Sequence, residues 1–434
     1  MTTHSDRLAA TGRPSGLPLD DLPGPPRSAP HGLLAGTRVL DLSTSIAGPY
    51  ATMLLADMGA DVVKLERPGG DDARAWGPPF LGTESLWFLS VNRGKRSLVL
   101  DCAAAQGRVV LDDLIARADV LVMNQVPRVQ TKLKLDWPRL AAINPRLIAV
   151  SLTGFGLAGA RRDLPCYDLI AEGYSGVMDL TGEAIAPPQK VGTPAADLIA
   201  GMDAAFAAVC ALLDRQRTGA GHLVDVAMID SMTRFMAPRL VSYLGSGELP
   251  RRTGARDSVI AIYQAFETAD EPMTLGLGND AIWRRFWIAV GAPEAAAEHA
   301  SNADRRADRT AIVARIAAVL RQRPRAEWLR VLAEAGVPAG PINRLDEVAA
   351  DPHLRDRGLL YAIQDGERRI PQVGLGIQID GASAGPGAAP PRLGADAAAV
   401  LADWLGWVPQ QIADLQELGI IGENPVQSRE EETA

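Results

Sequence analysis

In a chain of 434 residues with few of the usual catalytic pairings, one carboxylate stands out. Asp168 lies in Pro165-Cys166-Tyr167-Asp168-Leu169-Ile170-Ala171-Glu172, between Gly154-Phe155-Gly156 and Gly173-Tyr174-Ser175-Gly176. An Asp at the start of an apolar helical run is a favoured cap, because its oxygens accept bonds from free backbone N–H groups. The same position keeps a carboxylate ionised and exposed near the positive end of a helix, which a nucleophilic Asp requires. The two readings are compatible. Glu172, one helical turn further on, reads as a solvent-facing residue. The five histidines leave a gap from His31 to His222, and neither His222, His299 nor His353 sits in a recognisable nucleophile elbow. No His/Cys/Asp cluster has metal-ligand spacing, so no metal is expected. Cys102, Cys166 and Cys210 are too few and too scattered for a disulfide framework or a zinc site.

The elements that must position Asp168 read as an α/β protein. Val39–Leu42 is strand-like, 50–59 helical and ended by Gly59, and Val62–Glu66 a second strand, which together make a βαβ unit. Strands at 97–100, 120–123 and 147–151, with a helix over 107–117, continue the alternation and imply a mainly parallel sheet. The first turn reads Ser43-Thr44-Ser45-Ile46-Ala47-Gly48-Pro49 and lacks the GxGxxG fingerprint, so Glu66 is no sign of a dinucleotide. A long helix over 195–217 carries Leu198, Met202, Ala205, Phe206, Val209 and Leu213 on one face, read as its core face. A strand over 223–226 follows it.

The segments group as a disordered or loosely draped leader (1–35), the first part of a large domain (36–225), and a linker (226–245). A smaller α+β domain (246–335) comes next, then a linker and a C-terminal return to the large domain (336–434). Within the small domain, Tyr263 and Asn279 are candidates for selecting substrate, and Trp283 reads as core. Hydrophobic residues make up 47% and charged residues 22%, outside the disordered range. A net charge of −8 without a long basic run makes nucleic acid or an anionic membrane a poor partner. The strongly apolar run from Ala204 to Leu213 is about half of what a membrane helix needs. The N-terminus has acidic and proline residues where a secretory signal needs an apolar core, so the expected location is cytoplasmic.

Several segments in order carry a resemblance. They are Gly36-Thr37-Arg38-Val39-Leu40-Asp41-Leu42, Ala47-Gly48-Pro49, the run from Leu55 to Glu66, Asn92-Arg93-Gly94-Lys95-Arg96-Ser97, Tyr167-Asp168, Arg217-Thr218-Gly219-Ala220-Gly221, Gly336-Val337-Pro338-Ala339-Gly340-Pro341 and Asp351-Pro352-His353-Leu354. Over about residues 33–405 the chain resembles the family III CoA-transferases, the CaiB/BaiF family. The resemblance implies a Rossmann-like large domain built from both chain ends, a small domain between, and an interlocked homodimer. It implies Asp168 as a nucleophile that forms an aspartyl-CoA thioester, with an acyl-CoA and a small organic acid as substrates and no permanently bound cofactor. By motif position, CoA contacts fall on Ile46, Ala47, Arg67, Asp101-Cys102, Asn124, Gln125, Lys132, Leu133, Thr153 and Gly154. Lys95 and Arg96 match a family signature that serves either the site or the subunit interface.

Departures from the family pattern bear on the CoA site. Ala103 stands where many relatives have Lys, Met123-Asn124-Gln125-Val126-Pro127-Arg128 replaces Glu-Asn-Phe-Arg-Pro-Gly, and Gly394-Ala395-Asp396-Ala397 replaces Gly-Glu-His-Thr. Arg128 and Lys134 are candidates to offset the lost charge. Two other readings remain beside the transferase: an α-methylacyl-CoA racemase, for which no His lies upstream near Asp168, and a catalytically altered homologue with a binding role.

Overall fold

Six short segments form one parallel sheet: β1 (Arg38–Asp41), β2 (Asp61–Glu66), β3 (Lys95–Val99), β4 (Val120–Met123), β5 (Ile148–Thr153) and β6 (His222–Ala227). Their spatial order, β3-β2-β1-β4-β5-β6, is that of the doubly wound Rossmann sheet. β4 and β5 are buried along their whole length, as strands covered on both faces must be. The computed structural model describes residues 17–27 and 29–422 of the chain.

One face of the sheet is covered by α2 (Ala105–Arg117) together with the C-terminal helices α10 (Ala397–Leu405) and α11 (Pro409–Glu417). Leu114, Ile115, Val400, Leu401, Trp404 and Ile412 share a core there with Leu40, Leu98 and Leu121. The C-terminal segment therefore returns to this sheet. On the other side α1 (Ala47–Asp57) packs against the 24-residue α4 (Ala195–Thr218).

The chain divides into two compact units. One comprises residues up to 175, 192–235 and those from 349 on; the other comprises 176–191 and 236–348. The stretch 226–245, read as a linker, is largely helical, as α5 (Met228–Phe235) and part of α6 (Ala237–Ser246), and the division falls between these helices. The first 16 residues of the expected leader lie outside the described residues. From Leu17 it is held by the chain: the Ala362 and Gly385 amides donate to the Pro23 and Ala29 carbonyls, and Arg369 reaches the Leu22 carbonyl at 2.5 Å.

The smaller unit holds the antiparallel sheet β9-β8-β7, made of β7 (Tyr263–Phe266), β8 (Met273–Gly276) and β9 (Ala339–Pro341). With α7 (Asp280–Ala289), α8 (Arg309–Leu320) and α9 (Arg325–Glu334) it closes over Trp283, Phe286, Trp287 and Trp328. Trp283 is core, as expected, and Asn279 caps α7 through the Ile282 amide at 2.9 Å. Tyr263, one of the two candidates for substrate selection, lines a cavity of about 720 Å³ beside this sheet.

α4 reverses its expected orientation. Its buried face is the stripe of small residues that includes Ala196, Ala200, Gly201, Ala204 and Ala208, while Met202, Phe206 and Leu213 are 56%, 72% and 67% exposed. A Cβ on Gly201 would stand 2.6 Å from the Ala47 carbonyl oxygen. The close approach of α1 selects small residues on that side and turns the large apolar ones outward. By length and composition α4 is also apolar enough to cross a membrane, which the shorter run counted in the sequence did not suggest.

Candidate active site

In an open parallel sheet, ligands bind beyond the C-terminal ends of the strands, where the strand order reverses. Here the reversal lies between β1 and β4. The loop leaving β1 and the residues leaving β4 are bonded there: the Thr44 amide donates to Asn124 Oδ1 at 3.1 Å, Asn124 Nδ2 donates to the Thr44 carbonyl at 2.8 Å, and Gln125 Nε2 donates to the Leu42 carbonyl at 2.9 Å.

The same loop is held from beneath by buried charges. Lys95 Nζ lies 3.0 Å from Asp41 Oδ2 and donates to the Pro49 carbonyl at 2.8 Å; Lys64 Nζ pairs with Asp71 at 2.8 Å and donates to the Ser43 carbonyl at 2.9 Å. Asp41 also accepts the Ser43 amide and hydroxyl and the Thr52 hydroxyl. Burial alone would raise the Asp41 pKa, but Lys95, Lys64 and the two hydroxyls hold it at about 2. Burial draws Lys95 down to about 8 against the pull of Asp41. Ser45, at φ 69°, is kept in the left-handed region with its amide bonded to Asp71 Oδ1 at 3.0 Å. Lys95 is thus buried inside the protein and holds the loop, and Arg96 is bound to Asp61 and Asp403.

Most of the residues assigned by motif position gather on this edge. Ile46 and Ala47 open α1 with both side chains buried, so they offer a ligand backbone rather than side chain. Arg67 follows β2, exposed and bonded to the Gly70 carbonyl and Asp72. Asp101 follows β3 and accepts the Ala103 amide at 2.9 Å, and burial pushes the neighbouring Cys102 thiol up to about 11. Thr153 ends β5, its Oγ1 accepting the Gly156 amide at 2.9 Å. Lys132 and Leu133 stand apart from the strand ends, closing the short helix after β4; Lys132 is exposed, whereas Leu133 packs on the apolar core. Among the departures, Arg128 and Lys134 are exposed, and Asp396 clasps β3 by accepting the Ser97 amide at 2.8 Å.

Asp168 begins α3 (Asp168–Ser175) in the loop region beyond β5. It caps another helix rather than its own: Oδ1 accepts the amides of Ala196 at 2.8 Å and Asp197 at 3.4 Å, in the first turn of α4. Pro194, at the cap of α4, supplies no side-chain oxygen, so Asp168 takes that part from outside. The carboxylate is half-buried, and among the described residues Oδ2 accepts no bond. Gly154 lets this turn close, since a Cβ there would overlap Cys166 Cβ at 2.1 Å. Glu172 is a correction: expected on the solvent face, it is fully buried, because α3 lies between α4 and α5 and turns that side inward.

Two ionisable neighbours of this turn were not assigned to the site in the sequence. Asp197 lies in the first turn of α4, and burial together with the Asp168 charge raises its pKa to about 7. Cys166 is held at about 11 by burial, with Asp197 and Asp168 adding to the effect, so its thiol stays protonated. An Asp three residues after the loop proline that caps a long helix was the available signal for Asp197, but first-turn acids are common for electrostatic reasons alone.

A model of CoA-transferase family III matches residues 34–397. The chain is 37% identical over 356 residues to the acetyl-CoA:oxalate CoA-transferase of Acetobacter aceti, covering 81% of this chain and 90% of that protein. It is 38% identical over 381 residues to the succinyl-CoA:mesaconate CoA-transferase of Haloarcula hispanica, covering 83% and 94%. Among solved structures, a CaiB/BaiF family protein from Brucella suis is similar with a TM-score of 0.75 and 37% identity, over 86% of this chain and 99% of that one.

Proposed function

Because the chain belongs to CoA-transferase family III, we propose that it moves CoA from an acyl-CoA to a small carboxylic acid, with Asp168 as the residue acylated in between. The observation that carries this reading is the state of the Asp168 carboxylate. One oxygen is fixed by two helix N-terminal amides, and the other accepts no bond among the described residues. That arrangement orients a nucleophile without occupying it.

Oδ2 attacks the thioester carbonyl, the C–S bond breaks, and CoA leaves as thiolate, giving a mixed anhydride of Asp168 and the first acid. The thiolate then attacks the Asp168 carbonyl, releasing the first acid as carboxylate and leaving an aspartyl-CoA thioester. The acceptor carboxylate reverses both steps. Each step exchanges one anion for another, so no net proton is required. The amides of Ala196 and Asp197 stay on the acyl oxygen of Asp168 and stabilise negative charge that develops there.

CoA is proposed to lie along the strand edge, contacting Ile46, Ala47, Asp101, Asn124, Gln125, Thr153 and Gly154. Exposed Arg67, and Lys132 with Leu133 next to it in the chain, would reach toward its phosphates, and Arg128 and Lys134 would replace charge lost at Ala103. The two curated relatives act on oxalate and mesaconate, which makes a small dicarboxylic acid our proposed acceptor. A cytoplasmic homodimer completes the proposal, the exposed Met202, Phe206 and Leu213 stripe of α4 being the surface that a second copy covers.

The deciding experiment is hydroxylamine trapping after incubation with acetyl-CoA or succinyl-CoA, followed by peptide mass analysis. A hydroxamate on Asp168 is expected, and racemase or binding-only behaviour leaves that peptide unmodified.

A further inference from the structure

The C-terminal return of the chain gathers three guanidinium groups on one backbone stretch. Arg368 Nη2 donates to the Pro390 carbonyl at 3.2 Å, Arg74 donates to the Pro391 carbonyl at 3.3 Å from both terminal nitrogens, and Arg392 comes next in the chain. All three line a cavity of about 530 Å³ in the large unit, bordered also by the Gly82-Thr83 turn between Phe80–Leu81 and Glu84–Ser85. We propose that this cavity binds a small organic carboxylate, whose charged end is received by Arg392.

The charges around the cavity are unevenly matched. Arg74 gives two N–H groups to Glu66, at 2.7 Å each; Arg368 gives two to Asp365 and one, at 2.7 Å, to Glu84. With the bonds to Pro390 and Pro391, four of the five N–H groups of each are engaged, which leaves one on each for a further acceptor. Both side chains are held in place, 18% and 13% exposed, and the Arg74 guanidinium lies 3.8 Å from the centre of the Phe88 ring. Arg392 differs: it is exposed, and its side chain has no ion pair or hydrogen bond among the described residues. Glu84, the one acid on the cavity wall, is already taken by Arg368. Three like charges brought to one stretch repel each other, and the charge of Arg392 is the one that no acid answers.

A carboxylate presents the two oxygens that a guanidinium fork accepts, and the remaining N–H groups of Arg74 and Arg368 border the same space. The rest of the wall includes Leu81, Phe88 and Leu393, and the volume is that of a small-molecule site, far more than a bare ion fills. The ligand is therefore a carboxylate with an apolar body. It does not reach Asp168. Arg74 follows β2 and binds Glu66 at its end, whereas Asp168 lies beyond β5, three strand spacings or about 14 Å across the sheet. The proposal stands whether or not Asp168 is the residue acylated.

Calorimetric titration of the full-length protein with benzoate tests the site, with acetate as the control for the apolar body. The wild type should show a saturable benzoate site that Arg392→Gln weakens by about ten- to a hundredfold, the range for a hydrogen bond to a charged group. Arg392→Glu should abolish it. Without benzoate both variants should unfold at the wild-type temperature, since the Arg392 side chain is bonded to nothing among the described residues. Benzoate bound at the proposed acceptor site is common to all three proteins and does not change between them. The absence of a saturable site, or equal affinities in the wild type and Arg392→Gln, overturns the proposal. Acetate binding as tightly as benzoate overturns it too, by showing an adventitious ion only.

An arm that needs no variant is photolabelling of the wild type with 4-azidobenzoate, followed by peptide mass analysis. Labels that benzoate displaces should fall within residues 81–88 or 392–393. Displaceable labels confined to other segments overturn the assignment.

Discussion

The two polar constellations of the large unit are held in opposite ways. The loop from Ser43 to Ala47 is fastened from below by four buried charges and from the side by both ends of the Asn124 carboxamide. Asp168 is fastened at one oxygen only, by two amides of another helix, with the other oxygen unbonded among the described residues. A surface that must present backbone to a large ligand gains from rigidity, because each ordered contact then costs less on binding. The nucleophile proposed at Asp168 has to change its bonding during turnover, which calls for one oxygen held and the other left open. If the division is real, damage to the first region weakens stability and binding, and damage to the second stops chemistry.

The largest expected effect separates the two. Asp168→Asn keeps a carbonyl oxygen to accept the Ala196 and Asp197 amides, so thermal unfolding should stay close to the wild type. CoA exchange between acids should nevertheless fall by about 10,000-fold or more, as when a covalent nucleophile is removed. A variant that unfolds early would show that the Asp168 turn is a structural joint like the loop, and the contrast would fail.

Lys95→Met attacks the other side. It leaves Asp41 buried with Lys64 as its one remaining cation, and breaking a buried pair costs about 3–5 kcal/mol. Denaturant titration should show that loss, and any folded fraction should bind acyl-CoA less tightly while still acylating Asp168. The same network gives a pH signature. Asp41 in the folded protein ionises at about 2, below its ordinary 3.8, so over that interval the unfolded chain binds more protons than the folded one. The stability contributed by Asp41 is present above the ordinary value and is lost as pH falls through the interval. Lys95→Met should reduce that acid-limb contribution.

Much of the frame was legible in the residues. Val120–Met123 and 397–405 fall where their apolar patterns put them, and the remaining strands of the sheet differ by a residue or two at their ends, because local pattern and tertiary burial agree there. α4 was misread because a helix with apolar residues on both sides has no internal sign of which side is covered; the choice was made by α1, whose carbonyl at Ala47 leaves room only for glycine at 201. Glu172 failed for the same reason, its burial being imposed by neighbouring helices. For the candidate site, the order of motifs sufficed to put most of the residues assigned by resemblance, though not Lys132 and Leu133, at strand ends, since parallel topology collects those ends on one edge. It could not reveal the charge network, whose members, Asp41, Lys64, Asp71 and Lys95, lie up to 54 residues apart and meet only through the β3-β2-β1 order. Nor could it pair Asp168 with Asp197, 29 positions away on another helix.

The smallest expected effect is the most informative about the loop. Asn124→Ala removes the acceptor of the Thr44 amide and the donor to the Thr44 carbonyl while leaving the buried charges beneath untouched. Asn124 is half-buried, so water can take over part of its role, and the cost should lie near the lower end for lost hydrogen bonds, about 1 kcal/mol. Spent on loop order, that amounts to a several-fold rise in the KM for acyl-CoA, up to about tenfold. The trapped fraction of Asp168 thioester at saturating donor should then match the wild type. A lowered saturated rate would mean that the loop also aims the thioester carbonyl at Oδ2, so that the rigid region and the open one act as a single device. Measuring KM and the saturated single-turnover rate on the same variant distinguishes the two, because ground-state binding moves only the first.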